Sequence, residues 1–235
     1  MARRVDPVSV EKMLASLQEK ANPHNVAGMA RFGINPQGTL GVSVKDLRLL
    51  ARGHRDHNLA LGLWQSGIHE ARILAALVDD PAQVNERQMD AWAADFDSWD
   101  VCDQACLILF DKTPFAPAKA VEWAARPEEF IKRAGFALMA GLAWHDKKAP
   151  DSLFLEFLPV IVRESTDKRN YVKKAVNWAL RQIGKRNSAL CQAACETALQ
   201  IRQLDSPAAR WIAADALREL KKYCHESFFL EENRI

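Results

Sequence analysis

Apolar residues recur at helical spacing along almost the whole chain, and no stretch sustains the alternation of a strand. Pro7 to Ala21 reads as a first helix with Met13, Leu14 and Leu17 inward, and Asn22-Pro23 breaks it before a second short helix to Phe32. The segment 33–42, with three glycines and a proline, is a loop. Ser43-x-x-Asp46 is a capping box that opens a helix through Arg52. Further helices are predicted after His54 to His57, to about Gln65, over 67–78 with Ile68, Leu74, Ala75 and Val78 in the core, and over 83–94, 98–111, 116–125, 128–142, 150–163, 168–186, 188–202 and 205–222.

These helices repeat. Ala71-Arg72-Ile73-Leu74, Lys132-Arg133-Ala134-Gly135, Lys173-Lys174-Ala175-Val176 and Ala209-Arg210-Trp211-Ile212 each open a small-residue-rich helix with a cation in its first turn. Asp103 takes the equivalent place between the first and second. The anchors Arg72, Asp103, Arg133, Lys174 and Arg210 are 31, 30, 41 and 36 residues apart, the scale of two-helix HEAT-like repeats. The predicted fold is all-α: a HEAT-like helical-repeat solenoid with a concave groove, one domain over 1–235. Its least defined parts are the N-terminal helices of 1–40 and a tail at 223–235.

In such a solenoid the second helix of each repeat lines the groove, so the anchors fall on one surface. A cation in a first turn opposes the helix dipole by about 0.3–1 kcal/mol. Choosing it four times suits an anion, because helix N-termini with Lys or Arg seat phosphates. The competing reading pairs these cations with carboxylates of neighbouring repeats. On the helix at 171–186, Val172, Val176, Ala179, Leu180 and Ile183 form the apolar face, while Lys174, Arg181 and Lys185 lie about 180° from it. Trp178 lies on the cationic side, and the basic surface continues to Arg186. A core-filling ring belongs on the other face, so Trp178 either packs against an adjacent repeat or meets a ligand.

Asp95-Phe96-Asp97-Ser98-Trp99-Asp100-Val101-Cys102-Asp103 has the same property. Val101, Ala105, Ile108 and Leu109 define its apolar centre, and Asp103 points about 175° away, flanked by Trp99, Leu107 and Phe110. A carboxylate in a partly apolar recess is costly unless it has a partner or a task; a capping or ion-paired aspartate is the alternative.

Composition narrows the class. With 49% hydrophobic and 26% charged residues the chain can bury a substantial core, while a net charge of +2 does not by itself announce nucleic-acid binding. No apolar run approaches the roughly 18 residues of a membrane span, and Met1 to Asn22 lacks the order of a signal peptide, so a cytoplasmic protein without membrane contact is expected. Of the five cysteines, Cys102 with Cys106 and Cys191 with Cys195 are spaced i,i+4, and Cys224 stands apart, which suits reduced core thiols better than bridges or a metal site. His54 and His57 read as solvated loop histidines without a third metal ligand. Neither metal nor cofactor is expected.

Three motifs resemble the AlkD-type alkylpurine DNA glycosylases, bacterial proteins built from HEAT-like repeats. Trp99-Asp100-Val101-Cys102-Asp103 is similar to that family's Trp-Asp-x-x-Asp, Phe130-Ile131-Lys132-Arg133-Ala134 to its apolar-x-x-Arg-Ala, and Lys174-Ala175-Val176-Asn177-Trp178-Ala179-Leu180-Arg181 to its Lys-Ala-x-x-Trp-x-Leu-Arg. The likeness extends from about Leu40 to Lys222. It implies Asp103 as catalytic carboxylate, Trp99 and Trp178 as rings against the sugar, and Arg133 on a phosphate, all four on one concave site. Arg72, Lys132, Lys173, Lys174, Arg181, Lys185, Arg186 and Arg210 are the expected DNA-binding cations.

The implied activity is excision of cationic N3- or N7-alkylated purines from double-stranded DNA, without base flipping, by a monomer. A helical-repeat adaptor that binds DNA or an acidic protein segment without catalysis is the alternative. An excision assay separates the two.

Overall fold

The computed structural model describes residues 9–224. Among these residues there are thirteen α-helices and no strand. The chain divides into two compact units, 1–113 and 114–235.

The first unit contains α1 (Val10–Glu19), α2 (Pro23–Ala30), α3 (Val44–Ala51), α4 (His57–Gln65), α5 (His69–Val78), α6 (Glu86–Ala94) and α7 (Trp99–Ile108), followed by a 3-10 turn at Phe110–Lys112. The second contains α8 (Ala116–Ala124), α9 (Glu129–His145), α10 (Asp151–Glu164), α11 (Asn170–Gly184), α12 (Ser188–Arg202) and α13 (Pro207–Leu220). The predicted helix over 98–111 divides because the α-helix stops at Ile108 and the chain tightens. The predicted helix over 67–78 begins only at His69, since Gly67 has φ +69° and Ile68 is extended. The start of the first predicted helix, at Pro7 and Val8, and the tail from 225 onward lie outside the described residues.

Helix starts follow local chemistry. The Ser43 hydroxyl accepts from the Asp46 amide at 3.2 Å and donates to its carboxylate at 2.6 Å, which satisfies an otherwise orphaned N–H of α3. Asp56, Asn85, Asn187 and Ser206 cap α4, α6, α12 and α13 in the same way.

Packing in the second unit explains the sequence repeat. Helices α9, α11 and α13 pack in one row and α8, α10 and α12 in another, while α8 pairs with α9, α10 with α11 and α12 with α13. Each helix therefore needs two apolar stripes, one for its partner and one for its row. That demand makes α9 buried from Ile131 through Ala143. Gly135 permits the closest approach, since a Cβ there would lie 2.8 Å from Ala120 O and 2.9 Å from Ala124 Cα of α8. In the first unit α5 has this role, packing on α3, α4 and α7. Trp64 of α4 stacks on Trp92 of α6 with centroids 3.9 Å apart.

Two expectations change. Cys191 and Cys224 form a disulfide, whereas Cys102 and Cys106 remain buried thiols. The pairing of α12 with α13 brings residues 33 apart together, a contact that i,i+4 spacing cannot report. His57 is not a solvated loop residue either. It opens α4, and its Nδ1 lies 2.7 Å from Asp79 Oδ1, which also accepts the Asp80 amide while Gln88 donates to Oδ2.

Candidate functional site

The anchors found by sequence comparison occupy one structural position. Arg72, Asp103, Arg133, Lys174 and Arg210 are each the fourth or fifth residue of α5, α7, α9, α11 and α13. What their side chains do differs from helix to helix.

In the first unit α7 carries Trp99 and Asp103 one turn apart. Asp103 is only 9% exposed. Trp99 is half-buried and donates its indole N–H to Phe32 O at 3.0 Å, which fixes the ring against the chain that follows α2. A cleft of about 650 Å³ opens beside it, walled by Met29, Phe32, Val42, Trp99, Asp100 and Gln104 among others. Asp103 is not part of that wall. The buried Oδ1 of Asp100 and Oε1 of Gln104 have no protein partner.

A buried polar frame that periodicity did not single out positions α7. His69, 4% exposed, holds Asp100 Oδ2 at 2.9 Å through Nε2. Burial opposes a charged ring, but the hydrogen bond and charge of Asp100, with Glu70 and Asp97 nearby, outweigh it and raise the His69 pKa above its ordinary value. The neighbouring Glu70, 1% exposed, accepts from the amides of Leu40, Gly41 and Val42 at 2.8, 2.6 and 3.2 Å. Gly41 is at φ +79°, where a Cβ would strike the Asn22 carbonyl, so the predicted loop is anchored rather than loose. The only hint in the sequence was that His69 and Glu70 begin a helix whose first turn otherwise turns to the core.

Arg72 of the same helix is spent locally. It donates to Asp95 O at 3.0 Å, lies 3.9 Å from the carboxylates of Asp95 and Asp97, and stacks 5.5 Å from the Trp64 ring centroid.

In the second unit Arg133, 6% exposed, donates to Tyr171 O at 2.7 Å and so joins α9 to the first turn of α11, the helix bearing half-buried Trp178. Lys132 reaches Glu164 at 2.5 Å and Asp167 at 3.7 Å. Burial alone would push both carboxyls up; hydrogen bonds from Lys132 and Arg163 to Glu164, and from Arg169 to Asp167, hold both below the usual range.

Much of the expected basic stripe is neutralised inside the fold. Arg181 pairs with Glu219 and lies 3.7 Å from Asp215, and Lys185 also pairs with Glu219, which is held below its ordinary pKa against the effect of burial. For these residues the structure displays the pairing with carboxylates of a neighbouring repeat. Arg186 does not extend the basic surface as expected. It donates to the carbonyls of Ala143, Asp146 and Ala149, at 2.8 to 3.2 Å, and lies 3.9 Å from the Phe154 centroid, closing the C-terminal end of α9. Lys173 lies 4.7 Å from the Trp211 centroid, Arg210 is half-exposed beside Asp205 at 3.3 Å, and Lys174 is exposed.

Comparison with known proteins bears on the family and the fold. The profile described as "DNA alkylation repair enzyme" matches residues 13–220. The chain belongs to that family. No curated protein matches it. A solved structure described as "a new family of proteins related to the HEAT-like repeat DNA glycosylases with affinity for branched DNA structures" superposes with a TM-score of 0.75 at 17% identity, covering 92% of this chain and 97% of that one. This DNA alkylation repair enzyme family member therefore has the fold of a protein related to HEAT-like repeat glycosylases. Its matched region includes Trp99, Asp103, Arg133 and Trp178.

Proposed function

We propose that the protein is a DNA glycosylase that excises cationic N3- or N7-alkylated purines by hydrolysing the N-glycosidic bond with the base left in the duplex. The observation that carries this reading is Asp103: an almost buried carboxylate, one helical turn from Trp99, in a stretch that resembles the Trp-Asp-x-x-Asp of AlkD-type glycosylases. An alkylated purine carries positive charge and departs as a neutral base, so little leaving-group protonation is needed. The demand falls on the oxocarbenium sugar.

Asp103 supplies a negative charge and a point of attachment for the attacking water. Trp99 offers an electron-rich face worth roughly 0.5–2 kcal/mol against a cationic sugar. The resemblance extends a second ring to Trp178 and a phosphate contact to Arg133. Lys174, exposed on α11, is the cation best placed to meet phosphate without first breaking an internal pair.

Asp103→Asn keeps the volume and removes the charge. Release of 3-methyladenine or 7-methylguanine under single-turnover conditions should fall about 10²- to 10³-fold. Duplex binding should be kept or slightly strengthened, and uracil, a poor leaving group without a general acid, should not be released by either protein. Equal excision by wild type and Asp103→Asn would refute the mechanism.

A second reading draws on the structural relative described as having affinity for branched DNA. On this reading the present protein binds branched DNA without excising a base. The internal pairing of Arg181 and Lys185 with Glu219 leaves fewer cations for linear duplex than the sequence suggests. Competition between branched and linear DNA, run beside the excision assay, separates the two: junction preference with no base release supports the second reading.

A further inference from the structure

The second unit contains a sulfur cluster that the proposed chemistry does not use. Cys191 and Cys195 lie one turn apart on the buried face of α12, with Leu190, Ala194 and Ala198, and Cys224 follows the end of α13. Cys191 is bridged to Cys224, and Cys195 Sγ is 3.3 Å from Cys224 Sγ. All three sulfurs lie within 4.8 Å of one another.

A staple between α12 and the end of α13 needs two sulfurs, and an inert core thiol needs no sulfur neighbours. A third sulfur in near contact with the bridge meets a different requirement. An ion bound at about 2.3 Å from each thiolate needs sulfurs roughly 3.8 to 4.0 Å apart. Once the bridge is reduced, the Cys191 and Cys224 sulfurs part from bonding distance towards that separation. The donor set is purely thiolate, which selects thiophilic d10 ions such as Cu(I) or Zn(II) over Mg(II), Ca(II) or Mn(II).

We propose that in the reduced protein Cys191, Cys195 and Cys224 form a three-thiolate site for one soft metal ion, and that the Cys191–Cys224 bridge is the oxidised, metal-free form of the same site. Reduction of the bridge by an external dithiol adds two electrons and two protons, giving two thiols while the reductant becomes a disulfide. Loading one ion on the three thiols then releases three protons. A Cu(I) ion is satisfied by three thiolates, whereas Zn(II) takes a water as its fourth ligand. Oxidation by a disulfide or peroxide rebuilds the bridge and expels the ion.

The full chain, reduced under argon and freed of reductant, is titrated with Cu(I) or Zn(II) against a chromophoric chelator. One equivalent of either ion should bind, with a thiolate-to-metal absorption band in the ultraviolet. Replacing an outer-shell partner typically costs about 10- to 100-fold in affinity, so Cys195→Ser, which removes a ligand, should cost more than about 100-fold. Cys195→Ser leaves the bridge intact, and its oxidised form should melt like oxidised wild type, which shows that the fold is kept. The Cys102→Ser/Cys106→Ser variant should bind as wild type does. Oxidised wild type should bind nothing until a dithiol is added. Failure of both ions to bind one to one, or equal binding by Cys195→Ser, would overturn the proposal, and neither result bears on excision.

Discussion

His69 Nε2 lies 2.9 Å from Asp100 Oδ2, so a buried histidine of α5 holds the first turn of α7, the helix of Trp99 and Asp103. The folded-state pKa of His69 is raised. The stability this pair contributes is therefore fully present below the ordinary histidine value of about 6.5 and is lost as pH rises through the higher folded value. Urea midpoints measured from pH 5.5 to 9 should fall across that window in wild type. His69→Gln keeps a donor for Asp100 without titrating and should flatten the dependence; an unchanged slope would assign it to another group.

Glu70 gathers three consecutive amides of the loop before α3. Glu70→Gln turns an NH2 group towards those donors and leaves at least one unsatisfied, a loss of about 1–3 kcal/mol. Hydrogen exchange at Leu40, Gly41 and Val42 should accelerate more than exchange in α4 of the same unit. Uniform acceleration would show that Glu70 supports the whole unit rather than the loop.

Lys174 and Arg181 share α11 but should behave differently on DNA. Each direct phosphate contact adds a slope of about −0.9 to log K against log salt. Lys174→Ala should make that slope shallower by roughly one unit. Arg181→Ala should leave it nearly unchanged and lower stability instead, because Glu219 and Asp215 lose a partner. Fluorescence anisotropy between 50 and 300 mM salt, paired with thermal melts, reads both effects, and the opposite pattern would exchange the two roles.

Gly135 tests the close packing of α9 on α8. Gly135→Ala improves helix propensity by up to about 1 kcal/mol yet forces a methyl group against the backbone of Ala120 and Ala124. Overpacking of this kind typically costs about 1–3 kcal/mol, so net destabilisation is expected. A rise in the melting temperature would show that the two helices are free to separate.

The helices were legible because their cause is local. A 3.6-residue apolar period, Ser43 before Asp46, and Asn22-Pro23 act within one or two turns, and the structure follows them to within a few residues. The repeat was legible for the same reason: each unit must bury the same two stripes, so Arg72, Asp103, Arg133, Lys174 and Arg210 recur at one position of alternate helices. What those side chains then do was not. A long cation reaches whatever the fold places near it, and Arg181 finds Glu219, 38 residues away, while Arg186 finds three carbonyls 37 to 43 residues away. Glu70 caps a loop about 30 residues before it, and Cys191 bonds to Cys224 rather than lying inert beside Cys195. Periodicity determines which face of a helix is buried. Only the packing of one helix on the next decides whether a polar residue on its margin meets a partner or solvent, because that depends on a residue whose distance along the chain no local pattern encodes.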